Sequence, residues 1–221
     1  MTVEVEPLTP ARHAEAAAIL ARAFHNDPLW SWVFPAGSRR PMQLTWAIAH
    51  AVRHVSVFET SYITSGGEGV ALWYPPDSLS TVCHRLTNCE HDKLCGDRKT
   101  YTWRDTLLHL PAAVVRLGLP ALWRLWRVHI DILRRQREEI TEPQWELDVI
   151  GVDPAYQKRG IARALLRHVL DQADRQLTPC HVITHNPANV TFYAHHGFSV
   201  IREETVFEGG PFVCSLRRDP A

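Results

Sequence analysis

Hydrophobic and polar residues along the chain follow two periods, which indicate where strands and helices lie. Apolar residues at alternate positions, bounded by turn residues, predict strands at 3–8, 59–64, 70–74, 145–152, 181–184, 200–207 and 212–217. Apolar residues spaced three and four apart predict helices at about 10–24, 39–56, 160–176 and 188–195. The segment 145–184 therefore has the order of a strand–helix–strand unit.

Two segments depart from this pattern. Residues 26–28 are predicted to form a turn, and Trp30 and Trp32 are predicted to lie near a loop before the helix at 39–56. Residues 77–141 begin with a polar stretch that contains Cys and His, and continue with two arginine-rich segments of helical spacing, 103–117 and 119–139. Because 221 residues are barely enough for two domains, we interpret 1–221 as a single domain with a mostly helical insertion at 77–141.

The segment 149–163 passes from a strand through a turn into the start of a helix. A helix start presents unpaired backbone N–H groups and the positive end of the helix dipole, which suit an anionic pyrophosphate. Two small residues would let the backbone approach phosphates, and three basic residues add positive charge. These are Gly160 and Ala162, and Lys158, Arg159 and Arg163. An ordinary helix start with solvated basic residues is the alternative for this stretch alone.

The spacing resembles the signature of the GNAT acetyltransferases: Gln or Arg, two residues, Gly, one residue, then Gly or Ala, after a strand. Here the signature falls on Gln157, Gly160 and Ala162. A second run typical of this family, Asn-x-x-Phe-Tyr-x-x-x-Gly-Phe, follows at 189–198. The resemblance implies an α/β (α+β) GNAT fold, with a mixed, mostly antiparallel sheet and helices on both faces. It also implies transfer of acetyl from acetyl-CoA to a primary amine.

The resemblance further implies how the co-substrate acetyl-CoA is bound. In this family the strand before the loop diverges from its neighbour. Backbone groups around Ile150 and Val152 would then pair with pantetheine, and one N–H would polarise the thioester carbonyl. The implied binding residues are Ile150, Gly151, Val152, Gln157, Lys158, Arg159, Gly160, Ile161, Ala162, Arg163, Asn186 and Asn189. Capping of the next helix is the alternative role for the two asparagines.

Tyr193 and Glu146 are the candidate catalytic residues. Tyr193 resembles the family's general acid, which protonates the departing CoA thiolate, although a tyrosine in an apolar helix is often a core residue. Some family members carry a glutamate base at the position of Glu146. Period-two counting places this residue and Asp148 on the strand face of Ile150 and Val152. Solvated carboxylates at a strand end are the alternative.

A closer resemblance, to puromycin N-acetyltransferase and its relatives, spans most of the chain. The shared features are an Ala-Phe-x-x-x-Pro segment at 23–28, the helical insertion, and Cys214 in the last strand. This resemblance implies a small-molecule acceptor, such as an antibiotic or its biosynthetic intermediate. Ile183 stands where the puromycin enzyme has a glutamate, so the role of that glutamate does not transfer. His185 is a candidate substitute base.

Charge and hydropathy limit the classes of partner that we expect for this protein. Lys plus Arg number 24 and Asp plus Glu number 24, so no net field attracts nucleic acid or an anionic membrane. No apolar run approaches the roughly twenty residues of a membrane span, and the first residues lack the features of a signal peptide. We therefore expect a cytoplasmic protein, a monomer or homodimer, with a small-molecule amine as substrate and neither nucleic acid nor membrane as partner.

The five cysteines and eight tryptophans suggest two further ideas. Zinc could be ligated by Cys83, His84, Cys89, His91 and Cys95, but their spacing does not match compact zinc knuckles, so no metal is expected. An acyl-carrying role for Cys180 or Cys214 is disfavoured, because lone strand cysteines are usually inert. Seven tryptophans fall in segments expected around the acceptor, which favours an aromatic pocket for a planar or apolar amine. They are Trp30, Trp32, Trp73, Trp103, Trp123, Trp126 and Trp145.

Two alternative functions remain open. The protein could acetylate an amine of a peptide or protein, which an open groove beside Tyr193 would favour over a closed pocket. It could also be a non-catalytic acyl-CoA-binding module in which Tyr193 only packs. Retention of both Gln157 and Tyr193 favours the enzyme.

Overall fold

A computed structural model describes residues 3–76, Ser78 and residues 111–221. The elements before the gap are β1 (Val5–Pro7), α1 (His13–Ala23), α2 (Pro28–Val33), α3 (Arg40–Ser56), β2 (Tyr62–Thr64) and β3 (Gly69–Tyr74). Those after it are α4 (Leu119–Glu139), β4 (Trp145–Val152), α5 (Ile161–Arg175), β5 (Cys180–Thr184), α6 (Pro187–Ala194), β6 (Ser199–Thr205) and β7 (Phe212–Arg218). Short 3-10 turns cover Pro10–Arg12 and Pro154–Tyr156, and residues 111–117 are helical.

The strands of the described chain form one seven-stranded sheet in the order β1-β2-β3-β4-β5-β7-β6. Among the described strands only β4 and β5 pair in parallel, and every other neighbouring pair is antiparallel. A parallel pair needs a crossover connection, which α5 provides. The predicted mixed, mostly antiparallel sheet is confirmed.

Helices cover both faces of the sheet and bury two separate cores. On one face, α5 places Leu165, Leu166 and Val169 against the central strands. On the other face, α1 and α3 pack on β3, and the core there includes the fully buried Ile63 of β2 and Leu72 of β3. The predicted placement of helices on both faces is therefore also confirmed.

The helix α2 was not predicted: it begins at Pro28, inside the predicted turn, and contains Trp30 and Trp32. The Asp27 carboxylate accepts hydrogen bonds from the backbone N–H groups of Leu29 and Trp30 at 3.0 and 3.3 Å, and Pro28 occupies the first helical turn. An aspartate cap followed by proline is a helix-start signal that we interpreted only as a turn. A smaller error concerns β2, which was predicted to begin at residue 59 but begins at Tyr62; Glu59 has a φ of 57°, outside the extended region.

The predicted insertion contributes α4, which crosses the sheet over β5, β7 and β6. Its inner face is charged: Arg135 is fully buried and donates to Asp131 at 2.7 Å and to Glu204 of β6 at 2.6 Å.

The Cys- and His-containing stretch and Trp103 lie outside the described residues. The single-domain interpretation stays a prediction. No helix of the described chain combines the length and apolar composition that a membrane crossing requires.

Candidate active site

Strands β4 and β5 pair at one end and diverge at the other. Their register runs from Trp145 opposite Cys180 to Leu147 opposite Val182, and no pairing follows. The strand β4 nevertheless continues to Val152. Its backbone groups beyond Leu147 are therefore not bonded to β5, and a wedge opens in the middle of the sheet.

A β-bulge in β4 sits where this wedge begins. Leu72 of β3 pairs with Val149, but Trp73 pairs with Leu147, which leaves Asp148 as the extra residue. A bulge reverses which residues face each side of the sheet. Leu147 therefore packs in the same core as Ile150 and Val152. Period-two counting was wrong here: Glu146 faces α4, on the side of the sheet opposite to these two residues.

A cavity of about 770 Å³, here called the loop cavity, lies between the end of β4, the loop that follows it and α6. Every residue that the resemblance assigned to acetyl-CoA lines it, with one exception. The lining members are Ile150, Gly151, Val152, Gln157, Lys158, Gly160, Ile161, Ala162, Arg163, Asn186 and Asn189. The exception is Arg159, which is exposed with its guanidinium 5.3 Å from the Tyr156 ring centroid.

The loop places the start of α5 in the wall of the loop cavity. Gly160 precedes α5 with φ of +80°, a backbone conformation that a residue with a side chain rarely adopts. A Cβ at Gly160 would meet no protein atom within 4 Å, so open space lies in front of it. No side chain caps this helix. Its first N–H groups are therefore available to an anion.

Asp153 anchors the loop to the first helix, a role that we had not predicted from the sequence. Its carboxylate accepts the backbone N–H of Ala155 at 3.0 Å and pairs with Nε of Arg22 at 2.6 Å. The hydrogen bond from Ala155, with the nearby guanidinium, lowers the pKa of Asp153. Gln157 adds a second tie, because its Nε2 donates to the Val152 carbonyl at 3.2 Å. The Asp-Pro pair at 153–154 was the available sequence signal.

A second cavity of about 320 Å³, here called the strand cavity, fills the wedge between β4 and β5 and is walled by α2 and α4. Most of its surface is apolar, with contributions from Leu29, Val33 and Leu125 among others. Its polar lining includes Glu146, Asp148 and His185 as well as Asp27 and Thr184.

The expected wall of tryptophans is largely absent from the strand cavity. Among the described tryptophans, only Trp30 lines it. Trp73 and Trp145 are buried on the α5 side of the sheet, where their rings pack edge to face with centroids 6.5 Å apart. Trp123 and Trp126 are exposed on the outer surface of α4. The expectation was wrong because periodicity assigns residues to a helix without showing which surface each one faces.

Carboxylates give the strand cavity its electrostatic character. The Asp148 side chain is exposed within the cavity but surrounded by protein, and this desolvation, with the charge of Glu146, raises its pKa to about 7. Burial also raises the pKa of Glu146, whose Oε1 accepts Nε2 of Gln136 at 2.8 Å. Desolvation raises the pKa of Asp27 as well, against the opposing hydrogen bonds of its helix cap. Each group is therefore a stronger base than an ordinary carboxylate.

His185 does not suit the role of substitute base. It is buried against the strand cavity, and desolvation lowers its pKa to about 4. The imidazole is therefore neutral near pH 7 and holds a proton far less well than an ordinary histidine. The hypothesis failed because it rested on the usual pKa of histidine, and burial removes that property.

Tyr193 stands where the two cavities meet, and it lines both. Its ring packs against Phe192 and Phe198 at centroid distances of 5.3 and 5.7 Å. Burial raises the pKa of its phenol, which therefore keeps its proton at neutral pH. Asn189 also lines both cavities, whereas the Asn186 side chain caps α6 by accepting the Ala188 N–H at 3.1 Å.

The cysteines and metal-binding residue types supply no further site in the described chain. Cys180 and Cys214 are free and buried, and burial raises their thiol pKa values to about 12 and about 11. Thiols with such pKa values are poor nucleophiles near neutral pH. Across 3–76, Ser78 and 111–221, no group of three or more His, Cys, Asp or Glu side chains could hold a metal ion.

Comparison with known proteins agrees with this geometry. Residues 123–198 match the model of the Acetyltransferase (GNAT) family. A curated relative, the N-alpha-acetyltransferase RimI of Mycobacterium tuberculosis, is 40% identical over 78 residues. That match covers 34% of this chain and 49% of the relative, so it spans about half of the relative's length.

Solved structures share the fold. A histone acetyltransferase HPA2 and related acetyltransferase from Corynebacterium glutamicum superimposes with a TM-score of 0.67 at 19% identity, covering 100% of this chain and 98% of that one. The ribosomal-protein-S18-alanine N-acetyltransferase of Escherichia coli gives a TM-score of 0.52 at 14% identity, covering 100% and 95%. At these identities the likeness shows the fold alone.

Proposed function

Because the chain carries an acetyltransferase domain of the GNAT family, we propose that it transfers acetyl from acetyl-CoA to a primary amine of a small molecule. The observation that carries this proposal is the meeting of the loop cavity and the strand cavity at Tyr193. One cavity has the features of a nucleotide-phosphate site, and the other has those of an amine site. A direct transfer needs both to open onto one point.

The loop cavity fits the phosphates of acetyl-CoA. The N–H groups at the start of α5 face it, and Lys158 and Arg163 line it with positive charge. The open space before Gly160 would admit a pyrophosphate that any side chain at this position would obstruct. On the same wall, β4 beyond Leu147 is paired with β3 only, so its backbone groups on the β5 side offer donors and acceptors to an amide-containing arm.

The strand cavity fits an amine. Among the described residues that line it there is no Lys or Arg, whereas Asp27, Glu146 and Asp148 are carboxylates. An ammonium group is attracted to such a site, and the apolar walls from α2 and α4 suit a hydrophobic body attached to it. A volume of about 320 Å³ suits a small molecule. This supports a small-molecule acceptor.

The reaction assigns one proton task to each of two side chains. Acetyl-CoA, when bound, supplies an activated thioester. An alkylamine with a pKa near 10 must lose a proton before it can attack, and Glu146, whose pKa is raised by burial, is placed in the strand cavity to accept it. Tyr193 remains protonated and is placed between the cavities to give a proton to the departing sulfur.

A second candidate function is acetylation of the N-terminal amine of a peptide or protein. The observation that favours it is the identity of 40% over 78 residues to a RimI N-alpha-acetyltransferase. The chemistry at Glu146 and Tyr193 would be the same. The two candidates differ only in what lies beyond the acceptor amine.

Release of free CoA thiol should be measured across two matched panels, small primary amines with apolar substituents and short peptides with free N-termini. The proposal predicts turnover with at least one small amine and a higher kcat/KM than for any peptide. Higher kcat/KM values for peptides would favour the second candidate. Binding of acetyl-CoA without thiol release on either panel would contradict both and favour a non-catalytic module.

A further inference from the structure

A line of buried titratable groups leads from the strand cavity to the surface beneath α4. Glu146 of β4 lies directly opposite His181 of β5 in the sheet register. Its Oε1 is 4.0 Å from Nδ1 of His181, and Nε2 of the same imidazole is 3.2 Å from Oε2 of Glu139. The imidazole therefore lies between a carboxylate that lines the cavity and one that does not.

These groups are buried, and some of their polar atoms lack hydrogen-bond partners. His181 is fully buried, and its Nδ1 has no hydrogen-bond partner in the described chain. The same holds for Oε2 of Glu146 and Oε1 of Glu139. Unpaired buried polar atoms cost free energy and call for an explanation.

The outer end of the line is close to solvent. The Glu139 side chain is 8% exposed, and its Oε1 lies 3.8 Å from Arg202, which is 30% exposed on β6. Charged groups face the line from every packed element. They are Asp131 and Arg135 of α4, Asp148 of β4, Arg202 and Glu204 of β6, and Arg217 of β7 opposite His181.

We propose that Glu146, His181 and Glu139 form a proton relay that carries the acceptor's proton out of the strand cavity. This inference rests on the proposed acetyltransferase function. The ammonium gives one proton to the Glu146 carboxylate. Glu146 passes it to Nδ1 of His181, which releases the Nε2 proton to Glu139, and Glu139 releases it to water. The nitrogen loses a second proton when the amide forms, and this proton replaces the one that the CoA thiolate takes up to become a thiol. Each acetylation of an ammonium therefore returns one proton to solvent.

The environments of the two carboxylates suit release of the proton to solvent at neutral pH. Transfer from Glu146, whose pKa is raised, to Glu139, whose pKa is lowered, is uphill, and loss of the proton from Glu139 to water drives it. Burial raises the pKa of Glu146, which makes it a better acceptor of the amine proton. The pKa of Glu139 is lowered: burial opposes this change, but hydrogen bonds with His181 and Ser215 and nearby positive charge outweigh it. Glu139 therefore does not retain a proton at neutral pH. The gap of 4.0 Å between Glu146 Oε1 and His181 Nδ1 is longer than a hydrogen bond, so the Glu146 carboxylate must rotate toward His181 at the second step.

The test compares Glu139→Gln and His181→Gln with the matched control Glu138→Gln. Glu138 is the neighbouring residue on α4, is 51% exposed and pairs with Arg202, but lies outside the relay. With an alkylamine that is protonated at the assay pH, we expect kcat of the two relay variants to fall about 10- to 100-fold at unchanged KM for acetyl-CoA. The control should keep wild-type kcat, and unfolding temperatures identify any variant that fails to fold.

A second acceptor, a fluorinated amine that is already neutral at the assay pH, separates proton removal from structural damage. The relay predicts that the deficit of Glu139→Gln becomes small with this acceptor. Equal deficits with both amines, or wild-type rates in both relay variants, would overturn the relay. Wild-type protein that releases no thiol with any amine would contradict the proposed function itself.

Discussion

The loop cavity and the strand cavity adjoin, but the chain builds them in different ways. The loop cavity takes most of its lining from two short segments, 150–163 and 186–193. The strand cavity is assembled from α2, α3, α4, α6, β4 and β5 and from Phe24, which follows α1, so that its residues are as far apart as Phe24 and Tyr193. A local motif can specify the first site, whereas the second exists only when the whole sheet and its helices have formed.

The same difference separates the chemistry of the two sites. In the loop cavity, binding relies on backbone geometry and on a glycine whose φ is +80°. In the strand cavity, it relies on side chains whose pKa values change on burial, such as Asp148 and His185. We therefore expect variants of the loop cavity to affect acetyl-CoA affinity, and variants of the strand cavity to affect acceptor kinetics and their pH dependence.

The largest effect is expected where the two cavities meet. Tyr193→Phe removes the phenol and keeps the ring that packs on Phe192 and Phe198. We expect kcat to fall by about 10²- to 10⁴-fold, because the departing sulfur loses its proton donor, with unchanged KM for acetyl-CoA. Steady-state thiol release measures both constants.

The matched control is Tyr156→Phe, which also removes a phenol from the lining of the loop cavity. Its kcat should stay close to that of the wild type. A similar loss in both variants, or wild-type kcat in Tyr193→Phe, would show that Tyr193 is only a core residue.

A smaller, pH-dependent effect is expected from Asp148 in the strand cavity. With a pKa raised to about 7, this carboxyl is neutral below pH 7 and negatively charged above it. We expect kcat/KM for a cationic amine to rise about tenfold between pH 6 and pH 8, as the charged fraction grows. In Asp148→Asn this rise should disappear, with a loss of about tenfold at pH 8 and little loss at pH 6. An unchanged pH profile in Asp148→Asn would contradict this assignment.

In the loop cavity, Arg163→Ala tests the basic side chains. We expect acetyl-CoA affinity to fall about fivefold at low salt, because one charge near the pyrophosphate is lost, and the difference to shrink at high salt. Arg167→Ala is the control, since Arg167 is on the same helix and 57% exposed but does not line the cavity. Equal affinities of the two variants in calorimetric titration would argue against a role for Arg163.

The smallest effect concerns the anchor of the loop. Asp153→Asn weakens the pair with Arg22, and we expect the free energy of unfolding to fall by about 1 kcal/mol at pH 7. Because the pKa of Asp153 is lowered in the folded state, this stabilisation is present above the ordinary carboxylate range and is lost at lower pH. Denaturant unfolding at pH 7, and again at a pH below the lowered pKa of Asp153, measures this stabilisation. The control is Asp171→Asn, whose partner Arg167 is 3.9 Å away and exposed, and an equal loss there would contradict the anchor.

Much of the fold could be predicted because its elements follow local rules. The strand at Trp145–Val152 and the helix at Ile161–Arg175 have strong periodicity and clear boundaries, and both agree with the prediction. The loop residues Gln157 and Gly160 stand in a spacing whose purpose is a local backbone shape. These features need no knowledge of the rest of the molecule.

The strand cavity could not be predicted to the same extent, because it depends on tertiary structure. The bulge at Asp148 reverses the facing of residues along β4, and no period count shows it. The cross-strand pairing of Glu146 with His181 joins residues 35 positions apart, and the pKa of His185 depends on its burial. Only the assembled sheet reveals which side chains share the acceptor cavity.

The most direct test of the account is calorimetric titration of acetyl-CoA into the wild type, Gly160→Trp and Gly209→Trp. Both glycines have positive φ and open space at the Cβ position, but only Gly160 lines the loop cavity. The account predicts one acetyl-CoA bound per chain in the wild type and in Gly209→Trp, and none in Gly160→Trp. No binding to the wild type, or unchanged affinity in Gly160→Trp, would contradict it.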